Sequence, residues 1–248
     1  MTHLLSASGS SWTSALQATR PALLATACVV ALPLVALPAW AHNVTAEDAA
    51  LIAGRTGWHF FLYVWLGAKH MVTGYDHLLF LAGVIFYLRH IRNIAVFVSL
   101  FALGHSITLL TGVLLHLNVN AFLVDAIIGL SVAYKGFDNL DGFKSLFGDD
   151  PDEKTAVLIF GLFHGLGLAT KLRDLGLADD GLLPNLVSFN IGVEVGQMTA
   201  LVIMVVLLRM LPSHPRGSSV SIAVNTGLIA AGGVLITYQL KQYALALG

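Results

Sequence analysis

Between residues 75 and 240 the chain is a succession of apolar runs, each stopped by a short polar stretch before the next begins. About 20 apolar residues in a helix cross the hydrocarbon of a bilayer. Six segments meet or approach that length: 75–89, 93–116, 119–138, 155–172, 183–210 and 219–240. They are parted by Arg89 to Arg92, Leu117 to Asn120, Asp138 to Lys154, Asp174 to Gly181 and Pro212 to Gly217. Composition agrees, since 56% of the 248 residues are hydrophobic and only 11% are charged, against about 25% charged in a soluble domain. The expected fold is an all-α polytopic membrane protein built as a six-helix transmembrane bundle. Its 24 glycines suit close helix packing in lipid. A net charge of −1 gives no basic field for nucleic acid. The single cysteine, Cys28, excludes a disulfide framework and a thiolate metal cluster.

Residues 1–41 have the pattern of a secretory signal peptide, with Arg20 before an apolar stretch and Ala39-Trp40-Ala41 as a cleavage site. An uncleaved anchor is the alternative, and Pro33 and Pro38 count against it. Cleavage leaves His42 as the new terminus. Residues 42–56 then form a short periplasmic segment, 57–240 the transmembrane domain and 241–248 a C-terminal tail. Trp58 to Lys69 is aromatic and apolar but too short to cross, and reads as an interfacial or half-inserted helix. Basic residues set the orientation. With the mature N-terminus outside, seven lie within (Arg89, Arg92, Lys135, Lys144, Lys154, Arg209, Arg216) and five without (Arg55, Lys69, Lys171, Arg173, Lys241). That bias and the signal together place the chain in a bacterial inner membrane with its mature N-terminus periplasmic.

The chemistry gathers where the first span opens. His70 is followed after five residues by Asp76-His77, which leads directly into Leu78 to Leu88. Imidazoles and a carboxylate at the mouth of an apolar helix are costly to desolvate unless paired or used. Together they suit a divalent transition metal: nickel, cobalt, zinc or iron. A helix-capping cluster is the bland alternative. Further polar groups lie within the spans: His105 in the second, Asp125 in the third, His164 in the fourth, and Asn190, Glu194 and Gln197 in the fifth. The last three are spaced i, i+4, i+7 and so share one helix face. Gly192 and Gly196 bracket Glu194, and His105 and His164 are its available partners. Phe101-Ala-Leu-Gly-His105 and Phe160-Gly-Leu-Phe-His164 share a Phe-x-Leu-x-His pattern on two helices that both run outward. The polar set grades from the periplasmic mouth inward and has no continuation to the far side.

Four stretches resemble the HupE/UreJ family, in its second branch, over roughly 55–240. They are Gly74-Tyr-Asp-His-Leu-Leu-Phe80, His105-Ser-Ile-Thr-Leu109, Phe160-Gly-Leu-Phe-His-Gly-Leu-Gly167 and Phe189-Asn-Ile-Gly-Val-Glu-Val-Gly-Gln197. That family is associated with hydrogenase and urease maturation and is viewed as containing nickel permeases. The nickel-permease branch carries Phe-His-Gly-x-Ala-x-Gly-x-Glu in a later span. Here Phe163, His164 and Gly165 match, Gly167 and Ala169 exchange the small residues, and Lys171 stands in place of the Glu.

The expectation is transport, or binding and delivery, of a divalent transition metal, with nickel or cobalt favoured and zinc or iron admissible. The ligand candidates are His70, Asp76, His77, His105, His164 and Glu194, supported by Asp125, Asn190 and Gln197. The partners are the metal ion, the bilayer and a metalloenzyme maturation system, and no catalytic residue is assigned. Copper(I) would want thiolate or thioether ligands. A zinc-dependent membrane hydrolase and a b-type haem protein with His105 and His164 as axial ligands are the alternatives. The hydrolase is disfavoured because the last span, Val220 to Leu240, has no histidine.

Overall fold

The computed structural model describes residues 46–88, 90–174, 178–210 and 215–248. The signal segment 1–41 with Cys28, the proposed terminus His42, and the loop residues Arg89 and His214 lie outside the described residues. Within them the chain is all-helical, with nine helices and no strand. They are α1 (Ala46–Ile52), α2 (Phe60–Thr73), α3 (Tyr75–Ile85), α4 (Ile91–Leu114), α5 (Ala121–Asn139), α6 (Gly142–Phe147), α7 (Glu153–Asp174), α8 (Leu182–Met210) and α9 (Ser219–Leu247). Each of the six apolar segments contains one helix. Four helices, α4, α7, α8 and α9, are long and apolar enough to cross a membrane. The third segment became a 19-residue helix, α5, but its Asp125, Lys135 and Asp138 make it too polar to count by composition.

Local chemistry sets the helix starts. Asn120 accepts a hydrogen bond from Leu123 N, Asp152 from Thr155 N and Ser218 from Ser221 N. Each side chain satisfies an amide that the first turn leaves without a partner. At the far end of α4, His116 takes a left-handed conformation (φ 51°). Leu117 N then returns to the Gly112 carbonyl at 3.0 Å, closing the helix end.

The bundle is assembled from three tightly packed pairs: α2 with α8, α4 with α7, and α5 with α9. Glycines dictate these contacts. A Cβ on Gly192 would lie 2.0 Å from the Val64 carbonyl oxygen, and one on Gly165 would lie 2.0 Å from that of His105. Only a residue without a side chain permits such backbone approach. The register reveals direction. Val64 meets Gly192 and Ala68 meets Gly196, while Phe101 meets Gly161 and His105 meets Gly165. The first two pairs are therefore parallel. In the third, Gly129 meets Leu235 and Gly136 meets Asn225, so α5 and α9 are antiparallel.

α2, expected as an interfacial or half-inserted helix, lies lengthwise along α8. Asn185 ties their starts together, accepting from His59 N at 2.8 Å and donating to the Gly57 carbonyl at 2.9 Å. α2 and α3 are separated only by Gly74 (φ −75°, ψ 90°), outside the helical region. They then diverge, α2 to α8 and α3 chiefly to α5. The 14 and 11 residues of these two helices correspond to a helical length of about 38 Å. Together they form one broken element, and the break falls within the His70/Asp76/His77 motif.

Candidate metal centre

The break positions the first ligand candidates. His70 lies in the last turn of α2, and its carbonyl accepts from Gly74 N at 2.9 Å. Leu78 N bonds to the Gly74 carbonyl at 3.1 Å and starts the next helix. This brings Asp76 and His77 into the first turn of α3, where a carboxylate is favoured by the helix dipole. Asp76 Oδ1 accepts from His77 N at 2.8 Å and contacts His77 Nδ1 at 3.0 Å. An ionised carboxylate only accepts, so Nδ1 carries the proton and Nε2 holds the lone pair. A carboxylate behind an imidazole in this way is the usual outer-shell support for a metal ligand.

α4 and α7 contribute the next two. His105 and His164 lie on neighbouring turns of the parallel pair, at the same depth, because Gly161 and Gly165 bring the backbones into contact. Their rings surround that of His77, with centroids 5.9 Å (His105) and 4.7 Å (His164) away. The His70 ring is 5.3 Å from it. One ligand nitrogen each from His70, His77 and His105 can be chosen so that all three lie within 4.8 Å of one another. Metal–imidazole bonds of about 2.1 Å at tetrahedral angles put ligand nitrogens roughly 3.4 Å apart. The nitrogen separations must therefore shrink by as much as about 1.4 Å for the three to share one ion.

The hydrogen bonding is unusual for a protein interior. His164 Nδ1 donates to the Phe160 carbonyl at 2.7 Å, which leaves its Nε2 as a lone pair. That Nε2 and both ring nitrogens of His105 are buried without a hydrogen-bond partner. His77, His105 and His164 are all 0% exposed. Each polar atom left unsatisfied in an interior costs about 1–3 kcal/mol. Several on adjacent side chains call for a ligand or a further function. The ligand nitrogens of His70, His77 and His105, which lie near one another and are backed by a carboxylate, suit a borderline divalent cation, and His164 stands outside that group of three.

Phe80, Phe101 and Phe160 close the site on one side. The Phe80 ring is 5.5 Å from that of Phe101 and 5.6 Å from that of Phe160, and Phe101 lies 4.9 Å from His164.

The remaining candidates lie elsewhere. Asn190 accepts from Ser106 Oγ at 3.1 Å, and Gln197 donates to the Val98 carbonyl at 3.3 Å, both across the α4–α8 contact. Glu194 is exposed and lines a cleft of about 370 Å³ with Ser99, Ser106, Gln197 and Met198. Among the described residues, no hydrogen bond or ion pair joins it to the histidines expected as its partners. Helix phase explains this. Gly192 and Gly196 face α2, and Glu194, two residues from each, points about 200° away from them. Asp125 is engaged by Lys171, whose Nζ lies 2.9 and 3.1 Å from its two oxygens, and by Gln239 Nε2 at 3.4 Å. Sequence reasoning passed over Lys171 and Gln239 as partners. The available signal was the seven-residue spacing that sets Lys171 on the His164 face of α7.

Residues 45–247 match a family described as HupE / UreJ protein. The chain belongs to that family. No curated protein and no solved structure matches it. HupE/UreJ is an accessory and transport family, not a catalytic one. The stretches that suggested the resemblance line the site: Gly74 to Phe80 holds Asp76 and His77, while the stretches at His105 and Phe160 to Gly167 supply two more imidazoles. The fourth stretch, Phe189 to Gln197, lies beside it, with Phe189 6.0 Å from the His70 ring.

Proposed function

We propose that this HupE/UreJ protein carries a divalent transition metal, with nickel or cobalt favoured, through the cluster of His70, His77, His105 and His164. The observation that carries this is the set of buried nitrogens on His105 and His164 that make no hydrogen bond, beside three imidazoles with ligand atoms within 4.8 Å. The family's link to hydrogenase and urease maturation points to the same substrate class. In this reading the cation arrives from the periplasm, exchanges water for imidazole nitrogen, and leaves toward the cytoplasm. Asp76 holds His77 in the ligating tautomer and supplies the nearest negative charge. Glu194 is not part of this set and serves the separate cleft between α4 and α8.

The path onward is closed in this conformation. Beyond the aromatic layer, Lys135 bridges Asp138 at 2.7 Å and Glu153 at 2.9 Å, and Asn139 donates to Gly83 O and to Asn225. Release toward that end requires Phe80, Phe101 and Phe160 to part. A protonated imidazole cannot ligate, so cation binding is lost once the pH is low enough to protonate the cluster. Haem is the poorer reading. His105 and His164 lie on helices in backbone contact at Gly161 and Gly165, which leaves no slot for a porphyrin between them.

The test is metal content and titration on detergent-purified protein, comparing wild type with His77→Ala and Glu194→Ala. Stoichiometric nickel or cobalt, lost in His77→Ala and kept in Glu194→Ala, supports the site. Equal metal in all three overturns it.

A further inference from the structure

Lys171 brings a positive charge close to a site proposed to bind cations. It follows His164 by seven residues, two turns and about 10 Å along the same face of α7. Its ammonium donates to both oxygens of Asp125 on α5, and the pair is buried, with side chains 13% and 6% exposed. Asp125 Oδ1 is 3.3 Å from where a Cβ of Gly167 would sit, one turn from His164. Among the described residues, the fixed charges coupled to the imidazoles are Asp76 and Asp125, both negative, and Lys171, positive, while Lys69 beside His70 is neutralised by Asp48. Their sum is −1.

We infer that Lys171 sets the affinity of this site, its charge cancelling that of Asp125 so that a divalent cation is held loosely enough to leave. The inference rests on the permease reading. A bound divalent ion turns the local sum from −1 to +1. Without Lys171 the sum would begin at −2 and reach zero, and the site would retain its ion. A carrier must bind well enough to capture and weakly enough to release. A unit charge within about 10 Å acts strongly on a divalent ion in a medium less polar than water. A purely structural role, fastening α5 to α7, makes a different prediction. Removing either partner of a buried pair then harms the protein in the same direction.

The experiment is nickel and cobalt titration of the full-length protein in detergent, with melting curves and liposome uptake, for wild type, Lys171→Met, Asp125→Asn and the double variant. Lys171→Met should tighten binding by about tenfold or more while lowering the maximal uptake rate, since freeing Asp125 adds attraction. Asp125→Asn should loosen binding by about the same factor, because Lys171 is left uncompensated. The double variant should return near wild-type affinity, and Lys171→Arg should keep it. Single variants that shift affinity in the same direction overturn the inference, as does a double variant that does not recover. If Lys171→Met fails to fold, loosening in Asp125→Asn and recovery in the double variant still carry the test. Wild type that binds neither metal overturns the permease reading itself, and this assignment with it.

Discussion

Two buried polar clusters lie along the same bundle, and they are built on opposite principles. The cluster at the ends of α3 and α5 and the starts of α7 and α9 is saturated. Lys135 has two carboxylates, Asn139 has Gly83 and Asn225, and Asn225 donates to the Ser221 carbonyl at 2.9 Å. Tyr87 completes it with a hydrogen bond to Ser221 Oγ. The histidine cluster, at mid-depth, leaves ring nitrogens of His105 and His164 with nothing to bond. Saturated networks fasten helices together; the unsaturated one is where the proposed cation would bind. The contrast turns the roles of the two clusters into measurable differences.

The largest effect belongs to the histidines. His105→Leu should lower nickel or cobalt affinity by about 100-fold or more, because a ligand is lost outright. Melting in detergent should stay level or rise, since two unsatisfied nitrogens leave the interior. A clear loss of stability with unchanged metal binding would make His105 structural and erase the distinction. Lys135→Met should do the reverse. It leaves Asp138 and Glu153 without their cation, and removing one partner of a buried pair costs about 3–5 kcal/mol. Because Glu153 is partly exposed (40%), the loss should fall at the lower end. Metal affinity at the histidines should be unaffected.

Gly165→Ala joins the two ideas, because its Cβ would meet the His105 carbonyl oxygen at 2.0 Å. Neither backbone atom can swing aside, so α4 and α7 must separate. Overpacking of this kind costs about 1–3 kcal/mol. The same separation draws His105 away from His164 and His77. Both melting temperature and metal affinity should drop, and a variant that loses only one would show that the helix contact and the site are uncoupled. Asn225→Ala should cost a similar amount of stability, about 1–3 kcal/mol from the donor left on Asn139, but without change in metal binding.

How much of this was legible in the sequence follows the same division. His77, His105 and His164 stood out because each interrupts an apolar run, where an imidazole has few reasons to be. The six helical segments were legible from length and hydropathy. The place of α2 was not, because 14 residues fall short of a span and its role depends on Gly67, which meets Phe189 and Val193 of α8. Glu194 is expected beside His105 and His164 because a carboxylate deep in a span needs a partner, but the helix phase turns it elsewhere. Two residues along a helix is more than half a turn, and the glycines open the opposite side. Lys171 was read as a departure from a family pattern; its partner on α5 is 46 positions away in sequence, beyond any local signal.

The smallest expected effect lies outside both clusters and serves as their reference. Asp152, at the start of α7, has its pKa lowered because its carboxylate is hydrogen-bonded by Thr155. A depressed carboxylate pKa adds stability that is present above the unfolded-state value and disappears as pH falls through the folded one. Asp152→Asn keeps an oxygen for Thr155 N but carries no titrating charge. Wild type should therefore lose slightly more melting temperature than the variant between pH 5 and pH 3. This residue is fully solvated, so the difference should be small, and raised salt should reduce the dipole part of it. The acid-induced loss of metal should be identical in the two proteins, because it belongs to the imidazoles and not to the helix start. If Asp152→Asn altered that metal profile, the acid response could no longer be assigned to the histidine cluster alone.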